Sequence, residues 1–276
     1  MDCLELPVSE TSLQNLLPHT LSHSLCISID KGKEVWVVAG MLVQYLESAT
    51  DSVLVLEEKT PIGTIGGKEI MENLLKNPTS SLFYGTKVEE IMELNPLIVP
   101  KNILYKELMR KWKERGRAYA VLENEWGHYS AISAKKILEI GMKCKTNTSI
   151  TDLPNKPTVT FKLDDTMESI IKSMFQNKTR KLLLENSNHY INDRIIIETI
   201  TEKMSYLKNI DYFLNIPANI IDLEEARMIH DDLLVNEVSA MMYDMEHPYV
   251  IYKDHVVTPW DICQALLTEN IVDCQP

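Results

Sequence analysis

His255-Val-Val-Thr-Pro-Trp-Asp-Ile262 holds the end of a strand and the start of a helix in a single short run. Thr258 is a residue type favoured at helix N-caps. Pro259 follows at the first helical position, where its missing N–H is no loss, and Asp261 stands at the third, within reach of the cap. A helix that starts this way presents unpaired backbone N–H groups and the positive end of its dipole, which suits a phosphate. A hydroxyl at the cap can donate to a phosphate oxygen. A carboxylate one turn inside can accept from both hydroxyls of a ribose. The plainer reading is that Thr258 and Asp261 only start a helix.

Working outward, the same order of elements recurs along the chain. The copy that ends in this motif begins with Arg227-Met-Ile229, then a helix over Val235–Tyr243, a strand over Tyr249–Tyr252, the turn Lys253-Asp254 and the strand His255–Val257. Upstream, Thr158–Phe161 precedes a helix over Thr166–Gln176, a strand over Lys181–Glu185 and a helix rich in Ile195, Ile196, Ile197 and Ile200. A further copy opens at Val88, with an extended run Asn95–Pro100 and a helix carrying Leu104, Leu108, Met109 and Trp112 on one face. Its strands are expected over Ala118–Leu122 and His128–Ile132 around a turn at Glu123–Gly127, and its last helix over Ala134–Ile140, closed by Gly141. The first copy reads as a helix over Val35–Ser48, strands over Val53–Leu56 and Pro61–Ile65, and a helix over Lys68–Leu75. Gly66, Ser133, Asn192 and Thr258 each stand between a return strand and an apolar helix, roughly 60 to 70 residues apart. The polar, aperiodic stretch Lys143–Thr151 is the expected boundary between two pairs of copies.

This pattern resembles the cystathionine-β-synthase (CBS) domain family, whose copies pair into Bateman modules. The resemblance implies an α/β fold of tandem βαββα repeats paired into two such modules. They are residues 1–145, with repeats at about 12–80 and 86–142, and residues 146–276, with repeats at about 148–207 and 216–272. Such modules can associate into a flat disk, within one chain or across a dimer. The family's nucleotide motif is Gly-hydrophobic-hydrophobic-Thr/Ser-x-x-Asp-hydrophobic. His255–Ile262 keeps it except that His255 replaces the glycine. At the hydroxyl and acid positions the other copies carry Gly66 and Glu69, Ser133 and Lys136, and Asn192 and Ile195. The resemblance therefore puts a site in the second module. Thr258, Asp261, Val256 and Trp260 come from the fourth copy. Val159 and Thr160 would lie near the base, Thr179, Arg180 and Lys181 at the entry to a strand, and His247 toward the phosphate.

Composition narrows the functional classes. With 276 residues, 45 % hydrophobic, the chain can fill two domain cores. A formal net charge of −12 opposes general nucleic-acid binding, which needs cations to displace phosphate counterions. The basic tract Lys106, Arg110, Lys111, Lys113, Arg115 and Arg117 keeps an RNA-binding module as a weaker alternative. Five scattered cysteines, none in a Cys-x-x-Cys pair, fit free thiols in a reducing cytoplasm. No basic n-region opens the chain and no apolar run reaches the ~20 residues of a membrane helix. His230-Asp231-Asp232 reads as a helix lead-in rather than a metal site, and Trp112 and Trp126 read as packing. No phosphate-binding loop, nucleophile elbow or zinc-protease helix is present in the sequence, so no catalytic residues or required cofactor are expected. The expected function is that of a cytoplasmic, homodimeric regulator. AMP, ADP, ATP or S-adenosylmethionine would bias its contacts with an unidentified protein partner, as in energy sensing. The alternative is a ligand-free interaction scaffold.

Overall fold

Parallel strands cannot be joined by a tight turn, so each copy's first helix serves as a crossover. A computed structural model describes residues 4–19, 21, 26–44, 52–123, 128–154, 156, 158–207 and 212–273. In copy one, β1 (Ser28–Asp30) lies parallel to β2 (Ser52–Glu57), with α1 (Val35–Gln44) between them in sequence. β2 returns antiparallel as β3 (Thr60–Gly66), and α2 (Gly67–Leu74) follows. Copy two is β4 (Ile98–Val99), α3 (Tyr105–Arg115), β5 (Tyr119–Glu123), β6 (Tyr129–Ser133) and α4 (Ala134–Lys143). Copy three is β7 (Thr160–Phe161), α5 (Met167–Gln176), β8 (Lys181–Leu184), β9 (His189–Asn192) and α6 (Asp193–Glu202). Copy four is β10 (Arg227–Ile229), α7 (Val235–Tyr243), β11 (Val250–Tyr252), β12 (His255–Val257) and α8 (Pro259–Ala265). The chain is an α/β protein of four βαββα repeats.

Each amphipathic helix buries the face that its spacing marks. On α3, Tyr105, Leu108, Met109 and Trp112 are buried while Lys106, Glu107, Arg110 and Lys113 are exposed. Leu104 is the N-cap of that helix rather than part of the face. On α6, Ile195, Ile196, Ile197 and Ile200 all lie in the core. The end of the first expected helix (45–48), the turn 124–127 with Trp126, and Cys3 and Cys274 fall outside the described residues.

Gly141 does not close its helix: α4 runs on to Lys143. A Cβ at Gly141 would lie 2.3 Å from the Ser239 hydroxyl oxygen on α7, so the glycine serves the close crossing of α4 and α7. Nor is the stretch after Lys143 an unstructured linker. Cys144–Lys145 pairs antiparallel with Asn270–Asp273, which in turn pairs antiparallel with Leu4–Pro7. Ile150, in the 3-10 turn Ile150–Asp152, is fully buried. These short strands have no periodicity of their own to read, because their partners lie at the far ends of the sequence.

Close backbone packing gathers residues 27–96 and 157–227, copies one and three, into one compact unit. Residues 1–26, 97–156 and 228–276, holding copies two and four, form the other. In the first unit α6 packs on α1 and α2; in the second α4 packs on α7 and α8. This division differs from the consecutive one, 1–145 and 146–276, that the resemblance implies.

Among the described residues Cys26, Cys144 and Cys263 are free thiols, and no helix is long and apolar enough to cross a membrane. Burial pushes the Cys144 thiol up to about 12 from an ordinary 9.0, and pushes Cys263, which is fully enclosed, higher still. The folded chain therefore keeps protons that an unfolded chain releases above about pH 9. Stability is expected to be level up to pH 8 and to fall from pH 9 toward 12, by up to about 1.4 kcal/mol per pH unit for each thiol. Denaturant melts at pH 8, 9 and 10 check this. A Cys144→Ala/Cys263→Ala variant should fall less steeply, and an unchanged slope would refute the assignment.

Candidate functional site

The start of α8 is the best-kept motif in the sequence, and its polar groups are tied to one another in the structure. Thr258 holds extended backbone angles as N-cap, Pro259 opens the helix and Asp261 stands at its third position. Asp261 Oδ2 accepts from the Thr258 backbone N–H at 2.9 Å and from its hydroxyl at 2.7 Å. The hydroxyl, expected to face a phosphate, is turned onto the carboxylate. Asp261 Oδ1 accepts from Lys156 Nζ at 2.5 Å. The Asp261 side chain is 3 % exposed and that of Lys156 53 %, so a buried carboxylate is held by a half-solvated ammonium. Sequence reasoning missed Lys156. It is one polar residue in a polar connection, and nothing local marks it.

Around this centre Trp260 is half-buried, its ring 6.5 Å from that of the buried Trp112 on α3. Val256 lies in the middle of β12 opposite Ile251 and is half-buried. His255, where the motif has glycine, is 7 % exposed and meets the Tyr252 ring edge-on at 5.6 Å. His247 is half-buried ahead of β11, with its ring 6.4 Å from that of Tyr249. All of these belong to the unit of copies two and four.

The residues expected from copy three belong to the other unit. Val159 accepts from the Leu183 N–H just ahead of β7, and Thr160 pairs with Leu183 within the sheet. The Thr179 hydroxyl donates to the Lys181 carbonyl at the entry to β8. Arg180 is already engaged: its Nε and Nη2 both donate to Asp193 Oδ2, at 3.0 and 2.8 Å. Asp193 is 5 % exposed and opens α6. Its carboxylate lies so close to Gly67, the first residue of α2, that a Cβ there would sit 1.8 Å from Oδ2.

The remaining copies use the same positions to start helices. Ser133 Oγ accepts from the Lys136 N–H, and Asn192 Oδ1 from the Ile195 N–H. At the glycine cap of copy one, Glu69 Oε2 accepts from the Gly66 N–H at 2.9 Å. Ile195 is buried in the core and offers a ligand no polar group.

Two other sequence features are absorbed by structure. Asp232 accepts from the Thr151 N–H and hydroxyl, and the described residues contain no cluster of three or more potential metal ligands. In the basic tract, Lys106 donates to both oxygens of Glu10 at 2.7 Å, and Arg110 donates to Glu114 at 2.7 Å. Those pairs reduce the charge the tract can offer a phosphate backbone.

No protein-family model and no curated protein sequence matches the chain. Solved structures do match. One is a protein from Methanocaldococcus jannaschii described as a candidate archaeal homologue of g-AMPK. It is 13 % identical, with 92 % of this chain and 99 % of that one covered, at a TM-score of 0.73. A conserved protein from Pyrococcus horikoshii is 12 % identical, with 90 % and 98 % covered, at 0.55. A CBS-domain-containing protein from Agrobacterium tumefaciens is 15 % identical, covering 50 % of this chain and 98 % of its own, at 0.42. At such identities the likeness is one of fold. Two of these structures match over nine-tenths of the chain, and the order βαββα occurs in it four times: the chain shares its four-repeat fold with them.

Proposed function

We propose that the chain is a non-catalytic regulatory protein that binds an adenine nucleotide or adenosyl ligand at the start of α8 and relays its presence to a protein partner. The single observation that carries this reading is Asp261, a carboxylate 3 % exposed and placed one turn inside a helix whose cap is a threonine. Burial of a carboxylate is costly and needs several donors, and a ribose supplies two in one plane. In this reading Val159, Thr160, Thr179, Arg180 and Lys181 of copy three are the further ligand contacts that the resemblance offers, and His247 faces phosphate. Arg180 would exchange Asp193 for phosphate. The cytoplasm and a homodimer are the setting it implies.

A rival reading, the ligand-free scaffold, has its own support: Lys156 and Thr258 already satisfy Asp261, and Arg180 already has Asp193. Thermal melting in AMP, ADP, ATP and S-adenosylmethionine separates the two. A nucleotide at a hundred times its Kd adds about 2.7 kcal/mol, which for a chain of this size raises Tm by several degrees. A Tm unmoved by all four ligands would leave the scaffold.

A further inference from the structure

Lys156 belongs to the unit of copies two and four and stands ahead of copy three in sequence. Among the described residues its ammonium is also the one donor on Asp261 that comes from outside the motif. A carboxylate has about four lone-pair sites. Thr258 fills two at Oδ2 and Lys156 one at Oδ1. A ribose diol brings two further donors, one more than the carboxylate can then accept. One of the three present donors must give way.

The Thr258 contacts come from the same turn as Asp261: a backbone N–H that belongs to the helix start and a hydroxyl on the same residue. Lys156 has no such tie. Its side chain is 53 % exposed, so an ammonium that leaves Asp261 regains water at once. The ease of exchange therefore falls on Lys156.

We infer that Lys156 is a built-in competitor for the ribose position: a tethered cation that closes the Asp261 site and must be expelled when a nucleoside binds. This rests on the nucleotide reading above and adds its regulation. Thr146, Thr148, Ile150 and Asp152 keep their own contacts when Lys156 is expelled, so the displaced cation is what ligand binding adds to this surface. A half-exposed ammonium released from its carboxylate is a charge a partner can read.

The test uses the full chain and two probes, AMP and adenosine; adenosine has the ribose but no phosphate for Lys156 to attract. Lys156→Met should bind adenosine roughly five- to twentyfold tighter than wild type, and Lys156→Arg, which keeps a cation at this position, should match wild type. Added salt should tighten adenosine binding to wild type and leave Lys156→Met unchanged, because screening weakens only the ionic competitor. If Lys156→Met binds neither probe more tightly while wild type binds AMP, the competitor role is overturned and the nucleotide reading stands. A weaker Lys156→Met on both probes would make Lys156 a ligand contact, which also overturns it. Binding of neither probe by wild type or Lys156→Met would fell the nucleotide reading, and the competitor with it.

Discussion

Asp261→Ala is expected to weaken adenine-nucleotide binding by roughly tenfold to a hundredfold. Two ribose hydroxyls donating to one ionised carboxylate make charge-assisted bonds, each of about 1.5–3 kcal/mol where water is excluded. Part of that is offset here, because the ribose must take the place of Lys156, whose bond to Oδ1 is lost when it binds. The folding cost of the substitution is smaller, about 1 kcal/mol, since only a helix-start contact goes and α8 keeps Pro259 and the Thr258 carbonyl bond to the Asp261 N–H. Asp261→Asn gives the intermediate case: it retains one acceptor oxygen and loses the charge that draws both Lys156 and the diol. Calorimetry on wild type and both variants, beside their denaturant midpoints, reads the two effects apart. A scaffold would show the opposite pattern, with some stability lost and no nucleotide response to lose. Equal affinity in wild type and Asp261→Ala would move the site elsewhere, and Glu69 in copy one would be the next carboxylate to test.

Gly67→Ala should destabilise the unit of copies one and three by about 2–4 kcal/mol, with no ligand involved. The new methyl would lie 1.8 Å from Asp193 Oδ2, 2.6 Å from Cγ and 3.1 Å from Cβ, well inside contact distance. The carboxylate cannot simply rotate away. It is 5 % exposed and clamped by two bonds from Arg180, so moving it either breaks a buried ion pair or forces α2 off α6. Overpacking alone costs about 1–3 kcal/mol, and the disturbed pair adds to it. Shortening the obstructing side chain should restore much of the loss. Gly67→Ala/Asp193→Ala removes the two nearest clashing atoms and leaves Arg180, 47 % exposed, in water. Chemical denaturation of the wild type, the two single variants and the double variant measures this as a cycle. A double variant whose loss equals the sum of the single losses would show that Gly67 is not required by the approach of Asp193.

The repeat itself was legible because each copy is locally self-consistent. The order strand, crossover helix, hairpin, capped helix repeats with the right periods; the Ser133 and Asn192 side chains accept from backbone N–H groups three residues on, and Thr258 is tied to Asp261 within the same turn. Arg227–Ile229, Val235–Tyr243 and His255–Val257 keep the bounds their pattern gives, since short-range sterics and one buried face decide them. Tertiary structure alone decided the rest. Gly141 reads as a helix stop until Ser239 on another helix fills the space a Cβ would need. Arg180 reads as an open phosphate ligand until Asp193 closes on it, and Asp261 as an open ribose acceptor until Lys156 does. The sheet of Leu4–Pro7, Asn270–Asp273 and Cys144–Lys145 joins segments more than a hundred residues apart. Local sequence sets which backbone shape and which buried face a segment prefers; which charge neutralises a given carboxylate, and which two helices come close enough to need a glycine, depend on groups distant along the chain and fixed only once the copies have packed.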